Sequence, residues 1–246
     1  MSITQMLKES VTVSKKNLLV FVPMLAASVF SALLSLALVG STVPMVNRFS
    51  QQPEAIDPNQ ALAAAGAAMG AVSLVLILST IVGLLAHGMT VAMADLALKG
   101  EQPSLSAGWK RLMARLIPMI IASVVMGLII GVGMMLLVLP GLIAAFLLMF
   151  TLVSVMVDDS GAFEALGRSF RTVTQNFKAT FVFFLVAVAL GLIAGLLSVI
   201  VGLVPLLGAV LTMIISAIYT GFISIFIVRA YRELGVEPGA SPEAEV

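Results

Sequence analysis

One histidine, His87, sits inside an uninterrupted apolar tract, and an ionisable side chain in such a place is where chemistry is sought first. An imidazole there acts as an acid/base group or a ligand when partners converge on it. Zinc, for example, needs three or four nitrogen, sulfur or carboxylate donors. No second donor lies near His87 in sequence, and the chain has no cysteine, which removes thiolate metal sites, thiol nucleophiles and disulfides together. The plainer expectation is a neutral imidazole hydrogen-bonded to a hydroxyl or carbonyl on a neighbouring helix. Asp158 and Asp159 form a carboxylate pair, but adjacent residues point apart on a helix; with Ser160 they read as caps for the helix that follows. Asp95 and Lys99 make an i,i+4 pair of favourable order that calls for nothing more.

Two basic groups are the remaining candidates: Lys110, Arg111 and Arg115, and further on Arg168, Arg171 and Lys178. Guanidinium forks match phosphate oxygens, so these six are candidate lipid- or anion-binding residues. Their simpler role is to anchor topology. No Gly-rich phosphate loop, Ser/His/Asp set or aromatic-basic nucleic-acid patch appears. The expectation is therefore no catalytic residue, no metal, no cofactor and no nucleic-acid partner.

The elements that carry these residues are set by hydropathy. Apolar residues make up 61% of the chain and charged residues 10%, against roughly 45–50% and 25% in soluble domains. Such a composition cannot hide its apolar surface from water by folding alone, so lipid is the solvent. The charge-free tracts 117–157 and 179–228 each exceed the roughly 20 residues of one membrane crossing. Turn signals divide them, Leu139-Pro140-Gly141 in the first and Val204-Pro205 in the second. The expected spans are about 18–39, 72–93, 117–139, 142–157, 180–203 and 207–228, within one domain over 1–234, followed by a disordered cytoplasmic tail over 235–246. His87 thus becomes an intramembrane polar candidate.

Twelve of the 13 cations then fall on one side, leaving Arg48 alone on the other. Lys and Arg are retained on the cytoplasmic face. This predicts an even number of spans with both termini cytoplasmic.

A three-fold internal repeat is also predicted. Ser10-Val11 precedes Asn17-Leu18, Gly108-Trp109 precedes Arg115-Leu116, and Ser169-Phe170 precedes Asn176-Phe177, with the same seven-residue step each time. Mid-span pairs of small residues follow at Ser31/Ser35, Gly127/Gly131 and Gly191/Gly195, expected to be helix-packing positions. Pro44, Pro140 and Pro205 are expected to close the spans. Two of the cytoplasmic segments read as amphipathic helices lying in the headgroup region, one with Leu105, Trp109, Leu112, Met113 and Leu116 on its apolar stripe and the next with Phe163, Leu166, Phe170, Val173 and Phe177 on one face. The fold class predicted is therefore all-α: a polytopic membrane protein of six transmembrane helices, arranged as three pseudo-repeated units with cytoplasmic amphipathic helices.

Pro140-Gly141, Asp158, Glu164-Ala165-Leu166, Arg168-Ser169-Phe170 and Asn176-Phe177 together resemble the membrane domain of glycerophosphoryl diester phosphodiesterases and related prokaryotic six-span families. The resemblance implies a prokaryotic cytoplasmic (inner) membrane location. It does not imply phosphodiesterase chemistry, which belongs to a separate soluble domain in the fused proteins, and this chain is expected to have no room for one.

The functional expectation is a non-enzymatic integral membrane scaffold or accessory protein. Its interfacial helices would contact membrane lipids, anionic ones among them, or a protein partner or second copy. The alternative is a carrier or channel for an apolar or amphiphilic, lipid-like solute. Ion coupling is disfavoured, because the span centres lack Asp, Glu, Lys and Arg.

Overall fold

A computed structural model describes residues 3–51, 57–204 and 207–235, which form helices and short turns with no strand among the described residues. The helices are α1 (Ile3–Lys16), α2 (Val22–Gln51), α3 (Pro58–Leu98), α4 (Leu105–Ala114), α5 (Leu116–Leu136), α6 (Val138–Leu147), α7 (Thr151–Val157), α8 (Ala162–Gln175), α9 (Phe177–Gly202) and α10 (Leu207–Leu234), with a 3-10 turn at Leu18–Phe21 leading into α2. Six stretches are long and apolar enough to cross a membrane: Leu18–Leu38, Asn59–Leu98, Leu116–Leu136, Val138–Val157, Phe177–Gly202 and Leu207–Leu234. That is the number expected. Consecutive stretches pair as three hairpins, α2 with α3, α5 with α6, and α9 with α10. The last helix joins the third hairpin to the first by also lying against α1, α2 and α3.

The first hairpin is longer than the sequence suggested. α3 runs for 41 residues, about 60 Å at 1.5 Å per residue. Its start is fixed by Asp57, whose carboxylate accepts the Asn59 N–H at 2.9 Å, with Pro58 in the first turn. The alanine-rich stretch after it then carries the helix at little conformational cost. Nor does Pro44 close the preceding span, since α2 continues to Gln51. The predicted tail from 236 onward, and Pro205 in the third turn, lie outside the described residues.

The middle hairpin turns earlier than Leu139-Pro140-Gly141. One residue makes the turn: Leu137 is extended, with φ −164° and ψ 146°, and α6 begins at Val138. Pro140 therefore sits in the first turn of α6, where its missing N–H has no intrahelical partner to lose. The two helices close on glycines. A Cβ placed on Gly133 would lie 2.8 Å from the Cα of Gly141.

Phenylalanines fill the core near one end of the bundle. Phe146 meets Phe177, Phe181 and Phe184 edge-on, while Phe150, Phe183 and Phe226 are fully buried in a second group.

A matched pair of substitutions tests this arrangement. Gly133→Ala forces backbone against backbone and should cost about 1–3 kcal/mol. Gly127→Ala, on the same helix but with nothing within 4 Å of its new Cβ, should stay within about 0.5 kcal/mol of the parent. Unfolding of both variants in mild detergent measures the difference, and equal stabilities would refute the close hairpin.

Candidate functional site

Three short helices, α1, α4 and α8, gather at one end of the bundle, each running directly into a long one. The joint residues Asn17, Arg115 and Asn176 share a similar non-helical backbone, with φ of −127°, −119° and −116°. The Asn17 and Asn176 amides each donate back to the carbonyl four residues earlier, Val13 at 3.0 Å and Thr172 at 3.2 Å. Seven residues before each joint a small residue is buried: Ser10, Gly108 and Ser169. Its apolar successor faces outward, Val11 at 40% exposure, Trp109 at 50% and Phe170 at 49%.

On α8 this divides the surface into three sectors, as about 100° per residue requires. Ala162, Ala165, Ser169, Thr172 and Val173 are buried against the protein. Phe163 and Phe170 form an exposed aromatic flank. Glu164, Arg168, Arg171 and Gln175 occupy the third sector. The single apolar face expected from the sequence divides in two: Val173 belongs to the core, and Phe163 and Phe170 lie on a separate flank that stays exposed among the described residues.

The charged sectors meet in a belt of ion pairs. Arg168 bonds Asp158 at 2.6 Å and Glu164 at 2.9 Å. The Tyr231 hydroxyl also donates to Asp158, joining α10 to the same carboxylate. Asp159 accepts from Arg111 at 3.1 Å and Arg115 at 2.5 Å. Arg111 further donates to the carbonyls of Met156 and Val157, the open end of α7. Asp95 pairs with Lys99 at 2.8 Å and also with Arg232. Arg229 reaches Glu9 on α1 at 2.7 Å. Burial works against the charge on Arg168, but the bonds to Asp158 and Tyr231 outweigh it and hold the guanidinium above its ordinary pKa.

Several expectations change accordingly. Asp158, Asp159 and Ser160 do not cap α8; Gly161 precedes it, and its N–H donates to Glu164 at 3.3 Å. The two aspartates are ion-pair latches, and Ser160 bonds Ser154. Asp95 has a second partner, Arg232, 137 residues away. Of the six basic candidates, Arg111, Arg115 and Arg168 are neutralised within the protein, whereas Lys110, Arg171 and Lys178 are exposed and form no ion pair among the described residues. Lys110, Lys99 and Arg111 line a cleft of about 340 Å³ with Asp95 between α3 and α4.

The remaining motif residues serve the backbone. Ser169 inserts where the fourth span breaks between α6 and α7: its hydroxyl donates to Leu147 at 2.9 Å and accepts the Phe150 N–H at 3.1 Å. Asn176 also donates to the Leu234 carbonyl at 3.0 Å, fastening the end of α10 to α8. Gly141 closes on Gly133, while Pro140 starts α6.

The small-residue pairs are corrected in part. Gly127, Gly131 and Gly195 face open space, and Ser35 is exposed with its hydroxyl bonded to Ser31. On α5 the contact runs through Gly133 instead, about 200° round the helix from Gly131. Gly191 does meet a neighbour, the Tyr219 hydroxyl. His87 makes no hydrogen bond to any described residue, contrary to expectation, and lines a cavity of about 230 Å³.

Sequence reasoning missed Tyr231, Glu9 and the reach of Arg229 and Arg232, since their partners lie 73 to 220 residues distant. One signal was present: Glu9, Asp95, Asp158, Asp159, Glu164 and Glu233 all fall on the same predicted side as the cations.

Over residues 1–234 the chain matches the model of a family described as a domain of unknown function, DUF7847, and it belongs to that family. No curated protein and no solved structure matches it.

The belt makes a thermodynamic prediction. Asp158 and Arg168 side chains are 19% and 23% exposed, so Asp158→Asn should cost about 1–3 kcal/mol by leaving a guanidinium and a phenol underpaired. Arg168→Gln should cost a similar amount, and the double variant less than the sum, with a coupling of about 0.5–3 kcal/mol. A double-mutant cycle in detergent measures this, and additive losses would show that the two groups do not act as a pair.

Proposed function

We propose that this member of the DUF7847 family is a non-enzymatic membrane scaffold whose surface helices α4 and α8 hold anionic lipid headgroups. In this reading the chain comprises three repeated units, each a surface helix, a span, a turn and a returning span. The ion-paired end with both termini faces the cytoplasm. The observation that carries the proposal is the three-sector surface of α8, with an uncovered aromatic flank beside cations that have no partner among the described residues.

A helix held at the bundle end by its small residues presents Phe163 and Phe170 to one side and its charged sector to another. When the spans lie in a bilayer, that flank enters the acyl boundary and Arg171 reaches the phosphate layer. Lys178 on α9 and Lys110 on α4 stand beside exposed Phe177 and Trp109 in the same relation. In the cleft between α3 and α4, Asp95 holds Lys99 and Asp159 holds Arg111, which leaves Lys110 as the lining cation with no ion pair among the described residues and the one suited to a phosphate. Arg111, Arg115 and Arg168 are not part of this lipid-contacting set, because carboxylates already satisfy them. Support for the repeat comes from the shared backbone at Asn17, Arg115 and Asn176 and the shared burial pattern before them.

Each surface cation contributes about 1 kcal/mol toward an anionic leaflet, roughly five-fold in affinity. Arg171→Gln with Lys178→Gln should therefore reduce retention of anionic over zwitterionic lipid, while Arg168→Gln should lower stability and leave lipid preference unchanged. Native mass spectrometry after exchange into mixed nanodiscs reads both. If Arg168→Gln alone abolished the preference, the assignment of the lipid contact to the outer cations would be wrong.

The absence of cysteine makes orientation directly measurable by single-cysteine labelling. A cysteine at Glu101 should react only with reagent on the cytoplasmic side, and one at Gln60 only from the opposite side. Labelling of both from one side would overturn the proposed topology.

A further inference from the structure

The break in the fourth span leaves space behind it. Between α3, α5, the α6–α7 break and α10 lies a cavity of about 230 Å³, walled by Met126, Ile130, Ala145 and Met149 among other apolar groups. Two polar side chains reach it, His87 and Ser224. The Ser224 hydroxyl already donates to the Thr220 carbonyl at 2.8 Å, so the imidazole is the group with both capacities unused among the described residues. No Asp, Glu, Lys or Arg lines the space.

These features select an occupant by chemistry. A charged group would be stripped of water there with nothing to compensate it. Ordered water needs two to four polar partners, so the two polar side chains hold water at the imidazole end at most, and the remaining apolar wall takes an apolar guest. The volume is about eight times the roughly 30 Å³ that one water molecule occupies in the liquid, and a methylene group is of similar size. A pure hydrocarbon would fill it but leave the imidazole unpaired. His87 is eight residues from Asp95, about 12 Å along the helix, so a headgroup held at the ion-paired belt does not supply the missing bond.

We propose that this cavity is a binding site for a neutral amphiphile, a chain of about eight carbons or the terminal part of a longer lipid, bearing one hydroxyl or carbonyl that hydrogen-bonds His87. The site is separate from the proposed lipid-headgroup surface, since neither Arg171 nor Lys178 lines it.

His87 is the sole histidine, so protein prepared without a histidine tag and labelled with ¹⁵N-histidine reports on this imidazole alone. In nanodiscs, octan-1-ol should shift the imidazole signals saturably, whereas octane should leave their hydrogen-bond-sensitive positions unchanged. Ala145→Leu, which takes up part of the cavity and leaves His87 in place, should weaken the octan-1-ol response at least five-fold; if that variant fails to fold, Ala145→Val provides the graded version. Mass spectrometry of an organic extract of the purified protein separates the sources. A neutral lipid displaced by octan-1-ol assigns the occupant to the membrane, and its absence alongside a saturable shift assigns it to a small solute. No shift, an equal shift with octane, or an undiminished response in the folded Ala145 variant would overturn the site. Each of these outcomes is independent of the anionic-lipid measurement.

Discussion

Two adjacent carboxylates at the turn between α7 and α8 hold four helices together. Asp158 and Asp159 face in different directions because Asp159 has a φ of 59°, a left-handed conformation that a non-glycine residue adopts only when its surroundings compensate. Asp158 takes Arg168 of α8 and Tyr231 of α10, while Asp159 takes Arg111 of α4 and Arg115 at the start of α5. Exposed ion pairs contribute little, but these are partly buried and connected, so losing one member leaves several others underpaired. The turn therefore decides where α4 and α8 sit, and with them every cation and aromatic flank on that end of the molecule.

The same economy of polar groups explains the motif serine and asparagine. Backbone at membrane depth needs every N–H and C=O satisfied, and a broken helix leaves some free. Ser169 supplies a donor and an acceptor at the α6–α7 break, and Asn176 supplies a donor to the end of α10. Both side chains come from α8 or its end, so the surface helix repairs the span beneath it. That is why its inner sector is small and polar while its bulky phenylalanines are turned outward.

The three hairpins consequently differ despite their common beginnings. The first is long and continuous, the third is packed through phenylalanines, and the middle one is short with its returning helix broken. Met149 at that break and Leu152 just beyond it line the cavity that His87 faces, so the interruption repaired by Ser169 is also what opens space inside the bundle. Surface electrostatics and interior cavity thus trace back to one segment, residues 137–161.

Hydropathy alone determined the helical class and the six apolar stretches, since about 20 apolar residues in a row have few other stable solutions. Local spacing also located two of the three short helices, α4 and α8, because apolar positions recur there with the helical period, whereas α1 was not read from the sequence. Turn positions were less legible. Pro140 marks a helix start as readily as a turn, and the one-residue turn at Leu137 carries no special residue type. The partners of Asp158, Asp95 and Arg229 were not legible at all, because they depend on which helix ends meet after the hairpins assemble. Tertiary structure alone decided which arginines are spent on carboxylates, which cations stay open, and that His87 faces a cavity instead of a hydrogen-bond partner. Charge and burial at those positions are properties of neighbours tens to hundreds of residues away, which composition and periodicity do not encode.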